Sequence, residues 1–438
     1  MKQIIKVNNT SFIGYLNNDC FEFKGIRYAD SKRFDVPHPY NYKDSIVDLK
    51  DDSPICYQGH SKIESFITGN SYASFMQVEN PQFLSITIPK DTNKNSLLPV
   101  MVFIHGGTFR HGGCDSLSYN RTYLVKENNI IVIGINYRLG AFGFSRDLNK
   151  NYANLGLLDI IEGLKWIKNN IKFFNGDPNN ITIFGQSSGG EAVKAIVLSN
   201  DTLDLYKRVI IQSAPSGTMH HRENVDKYIL DGINSLNENA SAIDILEKQE
   251  ELNSSYKSND NDKFLIYGPH YGIYPLVDKK EINSKIIEVS KNHELLIGYN
   301  SREVSVYLRN SKTIRNLSKR AITKKIIEKG IEIKDDQLFT KDAIDFYKKY
   351  KKNQPNTYLY KLYWQEGESF LGGCHGIEFL LLFGASDGTA NELMKDYTIE
   401  DIIEIGKPLR KLWADFAKTG KVEVNEIPSI LKIDEKVK

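Results

Sequence analysis

Short apolar, β-branched runs recur along the chain, separated by segments in which apolar residues return with a helical period. Val100–Ile104, Ile130–Asn136, Ile181–Phe184, Val209–Gln212, Leu295–Tyr299 and Tyr358–Tyr363 read as strands. Amphipathic helices are expected between them, over Leu158–Phe173 and from Ser188 onward. A last helix covers Ile403–Thr419 and stops at Gly420, a typical helix-ending residue. Strands alternating with helices predict an α/β fold, a central and mostly parallel twisted sheet flanked by helices. The stretch from 223 to 262 is polar and helix-prone with no strand signal. It reads as a cap-like helical excursion over the functional site, with surface padding as the alternative.

Composition narrows the class. The 438 residues are 40% hydrophobic and 26% charged, enough apolar material for a large core. No repeat, low-complexity tract or Pro/Gly-rich linker divides them, so residues 1–438 are expected to form a single domain. Lys and Arg number 57 against 55 Asp and Glu, a net charge of +2. That balance offers no broad field for nucleic acid or an anionic membrane, and the pairs Lys324-Lys325 and Lys348-Lys349 read as solvated surface. The first residues lack the apolar core of a secretory signal, and no stretch approaches the roughly 18 apolar residues of a membrane span. Cys20, Cys56, Cys114 and Cys374 show neither a CxxC pair nor zinc-ligand spacing. The expectation is a soluble cytoplasmic protein with free thiols and no bound metal.

The chemistry begins at Gly185-Gln186-Ser187-Ser188-Gly189, which matches G-x-S-x-G. A strand that turns sharply into a helix holds the serine hydroxyl out at the tip, and side chains two positions either side would collide there. The pattern alone is weak, since a chain this long shows one by chance with a probability of roughly 0.15. Context strengthens it: the apolar strand Ile181–Phe184 precedes the motif and a helical pattern follows. Upstream, a strand ends in His105-Gly106-Gly107-Thr108. Glycine-rich backbone can aim N–H groups at the oxyanion of an acyl-transfer intermediate, and the expected donors are Gly107, Thr108 and Ser188. By itself the Gly-Gly pair could equally be a plain turn.

Longer blocks carry a resemblance. His105-Gly106-Gly107, the run from Asn136 through Arg138 to Phe144, Asn154-Leu155-Gly156-Leu157-Leu158-Asp159, and the run from Asn170 through Asn175-Gly176-Asp177-Pro178 to Ser187 follow one another in order. Together they resemble the type-B carboxylesterase/cholinesterase family of α/β-hydrolases. Phe23-Lys24-Gly25-Ile26-Arg27-Tyr28-Ala29 is similar to that family's opening hairpin, implying a small N-terminal β region, and residues 413–420 resemble its closing helix. The family's acid sits on a Gly-x-Asn-x-x-Glu turn, matched by Gly298 to Glu303, and its histidine in a His-Gly-x-Glu block, matched by His375 to Glu378. The resemblance therefore implies a triad of Ser187, Glu303 and His375, no cofactor, and a small-molecule ester substrate cleaved through an acyl-enzyme. The order Ser, Glu, His agrees with α/β-hydrolases. His220-His221 is the rival source of a base.

Some positions depart from the family pattern. Gln186 stands where the family has glutamate, and the usual partner of Cys56 is missing near Pro81. The loop from Cys56 to Pro81 has no tryptophan to hold choline by a cation–π contact, which argues against a dedicated choline esterase. The block Gly268–Gly272 lacks the family's aspartate. An amidase or thioesterase using the same triad, or a catalytically silent binding protein on this scaffold, are the alternatives. Oligomeric state stays open.

Overall fold

A computed structural model describes residues 1–434 except 44, 70–71, 92–95, 146–152, 217–221, 238, 258–263 and 387. The expected strands form the centre of a thirteen-stranded sheet. Across that centre the order is Ile131–Ile135, Leu98–Ile104, Gly176–Gln186, Arg208–Gln212, Glu294–Asn300 and Thr357–Leu362, every neighbour parallel. Antiparallel strands extend it on both sides, through Phe83–Pro89 to Cys20–Arg27, Thr10–Asn17 and Lys2–Val7 on one, and through Leu431–Ile433 and Glu426–Ile427 on the other.

Near-continuous apolar runs fit this position, because a parallel sheet covered on both faces leaves no wet side. Alternate residues supply the two cores. Val100, Val102, Ile104, Val209, Ile211, Leu295 and Ile297 pack into one cluster; Met101, Phe103, Ile210 and Leu296 pack into the other. Full burial of each such side chain contributes about 1.5–3 kcal/mol. Helices Leu155–Asn170 and Ser188–Val197 cover the sheet as expected, the first prolonged by a 3-10 turn to Phe174. The last helix starts earlier than the apolar pattern suggests, at Ile399, because Thr398 and Asp401 form a capping box. It ends as expected at left-handed Gly420.

Within 223–262 lie helices Glu223–Asn234 and Ala242–Ser255, and residues 258–262 fall outside the described part. Gln249 of the second helix accepts the Ala141 N–H at 2.8 Å. Ala141 lies in the first turn of the short helix Gly140–Phe144, and the Gly140 N–H donates to Phe109 O at 2.6 Å. The excursion thereby braces, from outside, the loop that follows Leu98–Ile104.

All four cysteines are free and buried. Burial pushes the Cys20 and Cys56 thiols up to about 12, and raises those of Cys114 and Cys374 further. The Cys56 sulfur accepts the Leu139 N–H at 3.3 Å instead of bridging a second cysteine. Among the described residues no helix is long and apolar enough to cross a membrane, and no cluster of three or more side chains could hold a metal ion.

Candidate active site

Topology fixes where a site can form. Strand Leu98–Ile104 is followed in the chain by its neighbour on one side, and only then by Gly176–Gln186 on the other. At such a reversal the loops diverge and leave a crevice beyond the carboxyl ends of the strands. Ser187 sits there, one residue past Gln186, with φ +59° and ψ −132°. A non-glycine residue in that region costs about 1–3 kcal/mol, which the surrounding packing must offset.

The glycines around the serine are needed for a reason that differs slightly from the expected one. A side chain at Gly185 would strike the Gly189 and Ile104 carbonyls, and one at Gly189 would strike the Ile104 and His105 carbonyls. The crowding comes from the adjacent strand end and, at Gly185, from the first turn of the following helix, not from the serine. Gly106 is the residue that meets the serine: a Cβ there would lie 3.2 Å from Ser187 Cβ.

Gly107 and Thr108 both have positive φ, at +106° and +57°, so their N–H groups turn away from the local hydrogen bonding. Neither N–H donates to a described group. The Thr108 hydroxyl is occupied, donating to Gly107 O at 2.7 Å. Ser188 opens its helix, where N–H groups lack intrahelical acceptors. Its hydroxyl accepts the Phe109 N–H at 3.2 Å and ties the loop to the helix start. Two neighbours lock this loop: Tyr137 Oη donates to His105 O at 2.8 Å, and Asn136 Oδ1 accepts the Cys114 N–H at 2.7 Å. Arg138 is held in turn by three bonds to buried Asp159, two from its guanidinium at 2.7 and 2.8 Å and one from its backbone N–H at 3.0 Å. Burial keeps His105 neutral, its pKa lowered to about 4, so it is scaffold and not a base.

His375 and Glu303 meet at the far ends of the next strands. His375 Nδ1 lies 2.6 Å from Glu303 Oε2, and both side chains are buried. With the Nδ1 proton donated into that hydrogen bond, Nε2 is the ring nitrogen that carries the lone pair. The Gln186 side-chain nitrogen lies 3.4 Å from Nε2, which sets this end of the ring beside the residue preceding Ser187. The Phe339 ring packs against the imidazole with centroids 4.9 Å apart. His220 and His221 lie outside the described residues.

Sequence reasoning missed an outer layer of polar groups. Asn300 N donates to Glu303 Oε1 at 2.7 Å, and Asn300 Nδ2 reaches Glu378 Oε2 at 2.5 Å. Burial, then the nearby Glu303 charge, raises the Glu378 carboxyl to about 7. Asp335 Oδ1 accepts the Val304 N–H at 2.8 Å, while Oδ2 is buried with no partner among the described residues. Burial, with a contribution from Glu303, raises Asp335 to about 8. Asn300 and Glu378 lie inside the blocks that suggested Glu303 and His375, so a signal existed for them. Asp335 had none. The block Gly268–Gly272 is an anchor: His270 bonds Phe144 O at 2.8 Å, Asp226 at 3.1 Å and, through its N–H, Asn154 at 2.8 Å.

Comparison with known proteins agrees with this architecture. The carboxylesterase family model matches residues 3–331 and 310–430. A probable N-octanoylanthranilate hydrolase of Rhodococcus erythropolis is 28% identical over 93% of this chain and 91% of its own. The para-nitrobenzyl esterase of Bacillus subtilis is 27% identical over 95% and 90%. Among solved structures, a PNB esterase superposes with a TM-score of 0.81 at 25% identity, covering 98% of this chain and 93% of that one. A carboxylesterase of Geobacillus stearothermophilus gives 0.75 at 21%, covering 97% and 92%. The chain thus belongs to the carboxylesterase family and is a carboxylic ester hydrolase on the α/β-hydrolase fold.

Proposed function

We propose that Ser187, His375 and Glu303 are the catalytic triad and that Gly107, Thr108 and Ser188 supply the oxyanion-hole N–H groups. Ser187 Oγ attacks the ester carbonyl while His375 Nε2 takes its proton, and the imidazolium then protonates the departing alcohol. Water repeats the cycle on the acyl-enzyme and frees the acid. Glu303 holds the ring tautomer and stabilises its charged form. The observation that carries this reading is the 2.6 Å pairing of His375 Nδ1 with buried Glu303, with Nε2 set beside Gln186, the residue preceding Ser187. The substrate class is small carboxylic esters, with no cofactor. One domain spans the chain, with the helices of 223–262 as its excursion. Four unpaired thiols fit the reducing cytoplasm.

A fluorophosphonate tests the site, because only a serine with an adjacent base reacts and its adduct resembles the stabilised intermediate. One equivalent should attach at Ser187, and Ser187→Ala should abolish labelling and hydrolysis together. No label on the folded wild-type protein would refute the assignment and favour a silent scaffold. Amidase activity is the second reading, favoured by the Rhodococcus relative, whose name specifies an N-octanoyl compound. Paired ester and anilide substrates of one acyl group separate the two.

A further inference from the structure

The net charge of +2 is unevenly laid out. Residues 312–334 contain eight Lys and Arg against Glu328 and Glu332, a net +6 that leaves −4 for the rest of the chain (2 − 6). Of those eight cations, Arg315 pairs with Glu392 at 3.2 Å and Lys329 with Glu332 at 2.8 Å, and the others form no ion pair with described residues. The surrounding charge therefore leaves this segment largely unneutralised.

The helix within it, Ala321–Asp335, is apolar on two opposite faces. Its inner face is conventional, with Ile331 2% exposed and Ile327 half-buried against Phe339 and Leu338. Its outer face carries Ile322, Ile326 and Ile333, which are 80%, 68% and 47% exposed. At about 100° per residue these three fall within roughly 40° of one another, with Ile331 opposite. Lys325 and Lys329 flank them. Isolated exposed isoleucines are ordinary, but an outward stripe beside lysines, of which only Lys329 forms an ion pair with a described residue, has the make-up of a helix that lies in a lipid interface.

We propose that helix Ala321–Asp335 docks the protein peripherally on an anionic phospholipid bilayer, its outer isoleucines entering the headgroup layer and its lysines meeting lipid phosphates. Charge complementarity selects this occupant. A second copy would set two +6 segments face to face across a twofold axis. A nucleic acid would neutralise the lysines but leave the isoleucines in water. Docking is independent of the esterase reading, though its consequence bears on it. The helix ends at Asp335, which holds Val304 N beside Glu303, and Phe339 lies against His375. Lipid contact would thus occur next to the site, where an ester dissolved in the bilayer could be taken up.

The test is sedimentation of the full chain with vesicles of phosphatidylcholine alone, or of phosphatidylcholine mixed with phosphatidylglycerol. Binding is expected only to the mixed vesicles and should weaken as salt rises. Replacing Lys319, Lys324 and Lys325 by Gln together should weaken it about 100-fold, and replacing them by Arg should preserve it. Ile326→Ser should weaken it about 10-fold. Hydrolysis of a water-soluble ester should be unchanged in all these variants, which shows that they fold. Equal binding to both vesicles, or binding to neither, overturns the proposal. A dimer dissociated by Ile326→Ser, without vesicle binding, overturns it in favour of a second copy.

Discussion

Asp335 offers a quantitative test of the buried polar layer. The residue is 4% exposed, and its carboxyl accepts one N–H from Val304 and sits near Glu303. Its pKa is raised from 3.8 to about 8. The sign follows from proton counting: between those values the native protein binds a proton that the unfolded chain has released, so stability falls as pH rises through the window. Asp335→Asn keeps an oxygen for Val304 N and cannot ionise. One proton per molecule corresponds to about 1.36 kcal/mol for each pH unit, so the variant should gain at most about 2.7 kcal/mol over wild type from pH 5 to 7, and about 2 after partial relaxation. Unfolding entropy near 2.1 cal/mol/K per residue comes to roughly 0.9 kcal/mol/K for this chain, so the gain should appear as about 2 °C in Tm. Glu378 titrates in both proteins, so its own contribution cancels in the difference. The assay is scanning fluorimetry of both proteins at pH 5, 6 and 7. A Tm difference that stays constant, or shifts toward wild type as pH rises, would show that Asp335 is ionised in the fold.

Gln186→Glu places a carboxylate beside His375 Nε2 and favours the imidazolium, so the acidic limb of kcat/KM should move up by roughly one pH unit; an unmoved limb would contradict the contact. Thr108→Ala should keep hydrolysis within about threefold, because the hydroxyl is already bonded to Gly107 O and the proposed donor is the N–H; a loss near 10²-fold would give the hydroxyl a role. Lys194 is buried between Glu191 and Asp342, each at 2.6 Å, and Lys194→Met should cost about 3–5 kcal/mol by leaving Glu191 uncompensated; denaturant unfolding measures it, and a neutral result would mean that Glu191 takes a proton.

What could be read from the sequence followed the range of the forces involved. The central strands were legible because burial on both faces demands apolar runs, and the elbow because close backbone approach demands glycine. Ser187, Glu303 and His375 each lie on a short block beside a strand end, and the resemblance to other esterases named them. The antiparallel strands Lys2–Val7 and Thr10–Asn17 were harder: exposure on one side fills them with Lys, Gln, Asn and Ser, as in many loops. Helix Ala321–Asp335 hides its period, since isoleucines line both faces. Asp335 was invisible because its environment is made by residues distant in sequence, and no local pattern marks a carboxyl that will be buried. The start at Ile399 was available in Thr398-Ile399-Glu400-Asp401, where the capping signal reaches further than the apolar one.

The buried cysteines make the protein a blank background for chemical labelling. A thiol held near 12 or above carries almost no thiolate at neutral pH, and the thiolate is the species that maleimides and iodoacetamides attack. Native protein should therefore remain unmodified without any cysteine being removed. A single cysteine placed on an exposed helix face, as in Ile326→Cys, would be the one reactive site. An environment-sensitive dye attached there would report directly whether that face leaves water.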